Sequence, residues 1–505
     1  MRGMKTGAWR WILLAAVAAG PWLAGRAHPF LYDDIGMIAE NRFLEDPANL
    51  AQVVTGRTLA DPQVVNGRRP LVLASYFLDR AVHGLQPAGW RTTSLLLHLG
   101  CAALLAGLLL RLTGNRYLAA AAGLLFALHP AAAEAVHAPG FRADILCLLF
   151  LLAALHGFMG AGSPGRRGGA LAGLALALLA KETALVAPVL LGGLMLLYPD
   201  AFPGARRDRM KWLAAAGAVA ALFFVLWALL PAELQAAGRS WNGESLRWPQ
   251  NVFSVPALWT RTLRLLLVPW PLNVTPAFEP VASAGSLRFA VGAAWLAGCG
   301  WAAWRVRRAA PAAALGLFWM LVFFLPVSNL WPLLHPVADR YLYPAIPGFA
   351  ILAAWLLAQQ TRTSRACGLA ALAAVYALLI LWRLGQWASA ETLWTAAYFQ
   401  NPRSATAATW LGWLREEAGD AAGARAFYQA AVEANPQADA AWVNWSSLEG
   451  RAGNWAEAER LARRAVEVRP EGSRGWHNLA VSLAGQGREP EAATAAARAA
   501  ELNAD

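Results

Sequence analysis

Between residues 11 and 384, apolar residues occur in runs long enough to cross a lipid bilayer. About twenty such residues span the hydrocarbon core as a helix. Short stretches rich in Arg, Gly and Pro separate the runs. The pattern predicts an all-α membrane region with eleven crossings. The predicted spans are 11–26, 92–112, 117–134, 142–160, 168–181, 183–199, 211–230, 287–304, 310–328, 341–358 and 366–384.

The basic residues between these runs predict how the helices are oriented. They cluster in alternate loops, and such clusters face the cytoplasm. The clusters are Arg2, Lys5 and Arg10; Arg111 and Arg116; Arg166 and Arg167; Arg206, Arg207, Arg209 and Lys211; Arg305, Arg307 and Arg308; and Arg362 and Arg365. We therefore expect a cytoplasmic N-terminus held by an uncleaved first span. The long loops 27–91 and 231–286 then lie on the opposite side of the membrane.

One apolar stretch in the second long loop is not predicted to cross. Residues 257–270 carry Arg261 and Arg264 between Leu, Val and Trp residues. A helix that lies in the membrane interface lets two arginine heads reach water, whereas a buried span does not. The stretch is therefore expected to stay on the non-cytoplasmic side.

A repeat of 34 residues follows the apolar region. Small or turn-forming residues recur at this spacing in four series: Pro402, Pro436 and Pro470; Gly419, Gly453 and Gly487; Ala424, Ala458 and Ala492; and Ala431, Ala465 and Ala499. This period is typical of tetratricopeptide repeats, which are pairs of antiparallel helices. We predict a periplasmic α-solenoid of about three repeats at 395–505, after a membrane domain at 1–394. The solenoid either binds a partner or is a plain packing scaffold.

Composition agrees with this division and excludes a nucleic-acid partner. The chain is 58% hydrophobic and 15% charged, with a net charge of +12. From residue 401 onward there are 11 Arg, no Lys and 14 acidic residues, a balance of −3. The positive excess therefore belongs to the membrane loops. The four cysteines lie in apolar runs without the spacing of a disulfide framework or a zinc site.

The scarce ionisable residues of the membrane region are predicted to gather on one side. Asp33 and Asp34 follow the first span, and other polar residues fall near the same ends of later spans. These further candidates are Arg69, His129, Glu134, His137, Arg142, Asp144, Lys181, Glu182, His335, Asp339 and Arg340. Ionisable groups at membrane depth usually mark sites. A carboxylate can take a proton from a hydroxyl, and Arg and Lys can hold a phosphate, so transfer from a lipid-linked phosphate is indicated.

Structural interpretations of the same residues stay open. Asp33 and Asp34 also fit a solvated turn after the membrane. Arg142 with Asp144, and Lys181 with Glu182, also fit ion pairs at helix ends. The remaining alternatives are His129 as a cap on the last carbonyls of a helix, and Tyr341, Tyr343 and Trp331 as an aromatic belt.

The order of several short motifs resembles a known family. The motifs are the acidic pair after the first span, Asn66-Gly67-Arg68-Arg69-Pro70-Leu71, Leu125-Phe126-Ala127-Leu128-His129-Pro130, Glu134-Ala135-Val136, Gly140-Phe141-Arg142-Ala143-Asp144, Ala180-Lys181-Glu182 and Asp339-Arg340-Tyr341-Leu342-Tyr343-Pro344. In this order, and followed by the repeats, they resemble the transmembrane and tetratricopeptide-repeat (TMTC) protein O-mannosyltransferases of the GT-C superfamily and their bacterial relatives. Phe141, Asp339 and the short repeat array depart from the family pattern.

The resemblance implies a polytopic GT-C glycosyltransferase that inverts the anomeric centre. Its acid in the first outer loop, the base, corresponds to Asp33 or Asp34. Arg142, Lys181 and Arg340 occupy the motifs that hold the phosphate of the donor. The donor is a polyprenyl-phosphate-linked sugar, for which mannose is one candidate. No metal or other cofactor is expected.

The remaining expectations concern place and partners. The Arg- and Ala-rich composition indicates a bacterial protein of the inner membrane, with undecaprenyl phosphate as carrier. The acceptor is a hydroxyl of a protein or envelope glycan on the periplasmic side, and the repeats offer a surface for a protein partner. The alternative function is a non-catalytic membrane scaffold that recruits an envelope partner through the repeats.

Overall fold

The computed structural model describes residues 8–61, 63–160, 164–229, 246, 248–333 and 335–504. Arg2 and Lys5 of the predicted N-terminal basic flank, and residues 231–245 of the predicted second loop, lie outside the described residues. The described chain forms two compact units. The first holds the described residues up to 272 together with 279–388, and the second holds residues 273–278 and 389 onward.

Fifteen α-helices make up the described part of the first unit. They are α1 Ala8–Leu23, α2 Leu50–Val54, α3 Pro70–His83, α4 Pro87–Thr113, α5 Arg116–Ala127, α6 Ala133–His137, α7 Ala143–Met159, α8 Pro164–Ala180, α9 Ala187–Leu197, α10 Arg206–Ala228, α11 Gln250–Leu267, α12 Leu287–Val306, α13 Pro311–Phe324, α14 Ile346–Ala358 and α15 Arg362–Gln386. Short 3-10 turns connect several of them, among them Pro130–Ala132, Pro139–Phe141, Glu182–Val186 and Asp339–Ala345. The all-α prediction is confirmed.

Helices occupy all eleven predicted spans, but they differ in length. In the described part of the chain, four are long and apolar enough to cross a membrane: Pro87–Thr113, Arg206–Ala228, Asp339–Ala358 and Arg362–Gln386. Shorter apolar helices, such as Ala143–Met159 and Pro311–Val327, accompany them. The protein is therefore a multi-pass membrane protein, and the number of crossings and their orientation stay predictions.

The predicted span 117–134 is bent. Helix α5 and the segment Pro130–His137 meet at 50°. Pro130 causes this break because a proline has no N–H to continue the helix and its ring clashes with the preceding turn. The chain therefore turns within the buried part of the fold, and His129 and Glu134 lie on either side of the bend.

Small residues let helices of the first unit approach closely. A Cβ added to Gly316 of α13 would lie 2.7 Å from the carbonyl oxygen of Gly348 in α14, and one added to Gly348 would lie 2.6 Å from that of Gly316. Such contacts are typical of helices packed in membranes, where close backbone approach replaces a hydrophobic driving force.

The second unit is the predicted solenoid. Its helices are α16 Ala390–Gln400, α17 Ala405–Glu417, α18 Ala421–Ala434, α19 Asp439–Arg451, α20 Trp455–Val468, α21 Ser473–Gly485 and α22 Glu489–Ala504. Helices α17 to α22 form the three predicted pairs. Helix α16 is capped by Ser389, ahead of the predicted start at residue 395.

The 34-residue series have distinct physical roles in this unit. Gly419, Gly453 and Gly487 have φ of +78°, +77° and +74° and connect the two helices of each pair. This left-handed conformation favours glycine because a Cβ is strained there. All six alanines of the two Ala series are buried. The prolines Pro436 and Pro470 accept hydrogen bonds from the indoles of Trp442 and Trp476 at 3.0 and 2.8 Å.

Candidate functional site

The acidic pair after α1 is held in a buried turn. The preceding residue, Tyr32, has a φ of +55°, which is uncommon for a residue with a side chain. Asp34 is fully buried, and its Oδ1 accepts a hydrogen bond of 2.7 Å from the backbone N–H of Gly140. Its Oδ2 is buried without a hydrogen-bond partner among the described residues. The turn is therefore fixed against a segment 106 residues away, and it is not a freely solvated loop.

The two carboxylates differ in their surroundings. Burial raises the pKa of Asp34 from 3.8 to about 7, although the Gly140 N–H and Arg91 oppose this. Burial also raises the pKa of Asp33, and the positive charge of Arg340 opposes it. Asp33 is half-buried, and its carboxylate takes no hydrogen bond from the described residues. It is therefore the member of the pair that is open to another molecule.

The turn Pro139–Phe141 that holds Asp34 is itself supported by Tyr76 of α3. The Tyr76 hydroxyl lies 3.0 Å from the carbonyl oxygens of both Pro139 and Gly140. A Cβ on Gly140 would lie 3.0 Å from Oδ1 of Asp34. Position 140 is therefore occupied by glycine because the two segments approach closely.

Arg142 lies behind this turn and is fully buried. Its guanidinium donates to Asp79 at 2.5 Å, to the carbonyl of Trp90 at 3.0 Å and to Ser94 at 3.2 Å. It also packs over the ring of Tyr76, at 5.6 Å from the centroid. The alternative in which Arg142 pairs with Asp144 is wrong, because α3 places Asp79 against the guanidinium instead.

Arg340 connects the acidic pair to the next motif. It donates from Nη1 to Glu134 Oε1 at 2.6 Å, and its backbone N–H donates to Oε2 at 3.1 Å. Its guanidinium carbon lies 4.3 Å from the ring centroid of Phe141. Arg340 thus contacts both Glu134 and the Pro139–Phe141 turn. It also acts electrostatically on the carboxylate of Asp33.

Two further cations continue from Arg340. Lys181 Nζ lies 2.7 Å from both carboxylate oxygens of Asp144, and Arg69 Nη2 lies 3.1 Å from Glu182 Oε1. The alternative in which Lys181 pairs with Glu182 is therefore wrong, because these two neighbours in sequence have different partners. Tyr341 lies between the cations, with its ring centroid 5.8 Å from Lys181 Nζ and 5.6 Å from Arg340 Cζ.

These residues form one continuous group, which we call the acid–cation cluster. Its members are Asp33, Asp34, Arg69, Glu134, Asp144, Lys181, Glu182 and Arg340. The structure thus brings together most of the predicted site residues. Among the described residues, no group of three or more His, Cys, Asp or Glu side chains is arranged to hold a metal ion. The expectation of a metal-free reaction stays a prediction.

Some of the predicted site residues, among them His129, Asp339 and Arg142, have partners outside this cluster. His129 Nε2 lies 3.0 Å from the carbonyl of Leu266, and its Nδ1 accepts from the N–H of Ala131. It therefore caps the beginning of the following turn, not the end of the preceding helix. Asp339 pairs with Arg261 of α11 at 2.6 Å. Arg142 pairs with Asp79.

Sequence reasoning missed Arg91, Asp79 and Tyr76. Arg91 of α4 donates from Nε to the carbonyl of His137 at 2.8 Å and from Nη2 to that of Pro29 at 2.7 Å. Its Nη1 donates to the carbonyl of His28. It thus holds the segment that leads into Asp33. The sequence did contain a signal for two of them: Arg91 and Asp79 are charged residues inside helices α4 and α3. Burying a charged residue at membrane depth costs free energy unless the residue has a partner.

The fold and the site define a class of protein: an all-α, multi-pass membrane protein that contains a cluster of acids and cations and is followed by tetratricopeptide repeats. A tetratricopeptide-repeat family model matches residues 377–439 and 444–505. The predicted repeats are thereby confirmed.

The chain is similar to proteins of the TMTC group. The chain is 36% identical over 138 residues to mouse protein O-mannosyl-transferase TMTC1, covering 25% of this chain and 14% of that protein. It is 34% identical over 131 residues to Drosophila melanogaster Tmtc1, covering 25% and 15%. Human TMTC4 is 25% identical over 468 residues, covering 79% of this chain and 62% of that protein. Each match spans less than two thirds of the relative's length. The predicted resemblance to the TMTC proteins is confirmed.

A crystal structure of ArnT from Cupriavidus metallidurans in the apo state is similar over 98% of this chain and 78% of that chain. The TM-score is 0.43 and the sequence identity is 16%, so this likeness is weak.

Proposed function

We propose that the protein is an inverting membrane glycosyltransferase that moves a sugar from a polyprenyl-phosphate carrier to a hydroxyl group. One observation carries the proposal: a half-buried carboxylate, Asp33, takes no hydrogen bond from the described residues and lies within the electrostatic reach of Arg340, the first of a row of three cations. The row continues through Lys181 to Arg69. The names of the similar proteins, protein O-mannosyl-transferases, support the same reaction class.

In this reaction, Asp33 accepts the proton of the acceptor hydroxyl. The acceptor oxygen attacks C1 of the sugar, and the bond between C1 and the phosphate oxygen breaks. The carrier phosphate leaves with the electron pair, so one glycosidic bond replaces another and the anomeric centre inverts. A positioned general base contributes about 10²–10⁴-fold to such a rate.

The cations stabilise the negative charge that grows on the leaving phosphate. Lys181 has three N–H donors and faces two oxygens of Asp144, so a donor is left for a phosphate. Arg69 contacts Glu182 through Nη2, and its side chain is 32% exposed. Fixed charges in a buried site need no rearrangement when the charge develops. We assign the phosphate to Arg69, Lys181 and Arg340.

Arg142 has a different role in this proposal. Its side chain has no exposed surface, and its donors already bind Asp79, Trp90 and Ser94. We therefore assign Arg142 to positioning the turn at Gly140, and Asp34 to holding the backbone of Asp33. Asp34 reaches its own partner, Gly140, through Oδ1.

The finer details extend the proposal. The transfer takes place on the non-cytoplasmic face of a bacterial inner membrane, where the predicted topology places Asp33. Undecaprenyl phosphate carries the sugar, which we propose to be mannose. The repeats bind the protein acceptor or a protein partner, since stacked helix pairs offer an extended surface for that purpose.

Replacement of Asp33 by Asn tests the proposal. Cells that lack the gene would be complemented with wild-type protein, Asp33→Asn or Glu45→Gln, and the glycans of envelope proteins and polymers would be compared by mass spectrometry. Glu45 is an exposed acid in the same loop and serves as the matched control. We expect the hexose-modified products to return with wild type and Glu45→Gln and to stay absent with Asp33→Asn, at equal protein levels in the membrane.

Products at the wild-type level in the Asp33→Asn strain would contradict the role of Asp33. If deletion of residues 389–505 removed the products while Asp33→Asn left them intact, the non-catalytic scaffold would be favoured instead.

A further inference from the structure

Helix α11 of the second long loop carries two arginines with different surroundings. Arg261 Nη2 donates to Oδ1 of Asp339 at 2.6 Å, and the Arg261 side chain is 17% exposed. Arg264, less than one helical turn further on, is exposed and donates to the carbonyl of Trp270 at 3.1 Å. Of the two arginines, Arg261 is therefore the one that reaches a buried carboxylate.

The carboxylate that Arg261 binds borders on the acid–cation cluster. Asp339 is buried and directly precedes Arg340 in the 3-10 turn Asp339–Ala345. The backbone N–H of Arg340 donates to Oε2 of Glu134 at 3.1 Å, and its Nη1 donates to Oε1 at 2.6 Å. Asp339 also acts electrostatically on Glu134. The pair of Arg261 with Asp339 is thus the immediate neighbour of the pair of Arg340 with Glu134.

Two buried carboxylates, Glu134 and Asp339, therefore share one small region with Arg340. A buried carboxylate is costly unless a cation is paired with it. Arg383 acts on both carboxylates electrostatically, and Arg261 donates directly to Asp339. Without Arg261, Asp339 would compete with Glu134 for the guanidinium of Arg340. Arg261 thus leaves Arg340 in its two hydrogen bonds to Glu134.

Two further contacts attach α11 to the chain on either side of this pair. Near the start of α11, Asn251 donates to the carbonyl of Leu330 at 3.2 Å, in the loop that leads to the 3-10 turn. Near its end, the carbonyl oxygen of Leu266 lies 3.0 Å from Nε2 of His129, at the bend that leads to Glu134. Helix α11 therefore contacts the segments that precede both partners of the pair.

We propose that Arg261 is a positioning residue for the donor phosphate: through Asp339, it holds Arg340 in the orientation in which Arg340 binds the phosphate. Arg261 itself does not touch the donor. The phosphate part of this inference rests on the proposed function. The effect of Arg261 on Arg340 does not, because it concerns contacts within the protein and can be measured without a reaction.

Hydrogen exchange measures the effect on Arg340. The full chain would be purified in phosphatidylcholine nanodiscs, and exchange of the backbone N–H of Arg340 would be compared for wild type, Arg261→Gln and Arg264→Gln. We expect about tenfold faster exchange in Arg261→Gln, because the hydrogen bond of this N–H to Glu134 is loosened. Arg264→Gln is the matched control, with the same change of charge on the same helix, and should exchange as the wild type does.

Binding of undecaprenyl phosphate measures the effect on the phosphate site. This lipid would replace an increasing fraction of the nanodisc lipid while thermal unfolding is followed. We expect Arg261→Gln to bind it about tenfold more weakly, Arg264→Gln to bind it as the wild type does, and Arg261→Lys, which returns a cation to Asp339, to recover part of the affinity. Because Arg261 acts through Arg340, adding Arg261→Gln to Arg340→Gln should cause no further loss.

A paired variant guards against misfolding. If Arg261→Gln does not insert because Asp339 has lost this cation, the combination of Arg261→Gln with Asp339→Asn removes both charges and should still show the faster exchange. Wild-type exchange of Arg340 in these variants, or a full additional loss of binding on the Arg340→Gln background, would show that the positioning role is wrong. Faster exchange in a protein whose wild type does not bind undecaprenyl phosphate would support the positioning of Arg340 and overturn the donor assigned under the proposed function.

Discussion

The backbone N–H of Gly140 donates a 2.7 Å hydrogen bond to Oδ1 of Asp34, a residue 106 positions earlier in the chain. This bond joins the acidic pair after α1 to the turn that precedes α7. Since Phe141 of the same turn lies under the guanidinium of Arg340, the bond also helps to set the position of Asp33 relative to Arg340.

Gly140→Ala is expected to inactivate the protein more than it destabilises it. The added Cβ would lie 3.0 Å from Oδ1 of Asp34 and 3.4 Å from the carbonyl carbon of Asp33, so the acidic turn must shift. A displacement of about 1 Å at a catalytic group can cost about 10²-fold in rate. Sugar transfer by the purified variant measures this loss.

The matched control is Gly298→Ala in α12, where an added Cβ meets nothing within 4 Å. It should keep full activity and gain up to about 1 kcal/mol of helix stability. Equal activity of Gly140→Ala and Gly298→Ala would show that the contact between Gly140 and Asp34 does not matter for transfer.

Stability should fall as the pH rises through the range in which Asp34 loses its proton. The native pKa of Asp34 is about 7, against an ordinary value of 3.8, so the folded state holds a proton that the unfolded state releases. The contribution of Asp34 to the free energy of unfolding is therefore fully present below about pH 4. It falls by about 4 kcal/mol as the pH rises to about 7.

Thermal unfolding between pH 5 and 8, compared for wild type and Asp34→Asn, checks this expectation. Asn mimics the neutral carboxyl, so the variant should lose the part of the pH dependence that belongs to Asp34. A wild-type stability that increases over this interval, with the same slope in Asp34→Asn, would contradict the native pKa of Asp34.

Tyr76→Phe should weaken the support of the Pro139–Phe141 turn. It removes the hydroxyl that lies 3.0 Å from the carbonyls of Pro139 and Gly140 and leaves these buried acceptors with one donor fewer. The expected cost is about 1–3 kcal/mol of stability, together with a lower rate of transfer. Denaturant titration and the transfer assay measure the two effects.

Tyr428→Phe is the control for that experiment. The Tyr428 hydroxyl donates to Glu416 at 2.6 Å within the second unit. The variant should lower the stability of the repeats and leave transfer chemistry on a small acceptor unchanged. If it reduced transfer as much as Tyr76→Phe, the effect of Tyr76→Phe would reflect general destabilisation.

Gly453→Ala should destabilise the repeat unit by about 1–2 kcal/mol, because an L-residue with a side chain is strained in the left-handed region. Gly453 has a φ of +77° between α19 and α20. Circular dichroism during thermal unfolding of the full protein measures the change.

Gly450→Ala, three residues earlier, provides the contrast. This glycine lies inside α19, and an added Cβ would meet Trp455 at an ordinary 3.8 Å. Alanine there should stabilise the helix by up to about 1 kcal/mol. The same loss of stability in both variants would mean that backbone conformation is not what selects glycine at position 453.

The amount that could be predicted differs between the two units. The repeats were predictable because each structural unit depends on neighbours about 34 residues away, so packing and turn requirements recur in the sequence at the same period. Gly419, Gly453 and Gly487 show this directly, since all three have the same left-handed conformation. The apolar helices were predictable for a similar local reason: their hydrophobic length is a property of consecutive residues.

The ion pairs were not predictable in the same way. Arg142 and Asp144 are close in sequence, and so are Lys181 and Glu182, yet neither pair forms. Arg142 pairs with Asp79, Lys181 with Asp144, and Glu182 with Arg69. Neighbouring residues at a helix end point in different directions, and the direction decides which other helix each one meets. Arg91 and Tyr76 escaped notice because their functional contacts are to backbone carbonyls, which leave no pattern in the sequence.

The sequence by itself determined the all-α class, the positions of the apolar helices, the repeats and the set of ionisable residues from which a site can be built. Only the tertiary structure decided which carboxylate faces which cation and which acid of the pair is buried. The physical reason is that hydrophobic length and helix propensity act between near neighbours, whereas ion pairing and burial depend on side chains that meet only when distant helices pack.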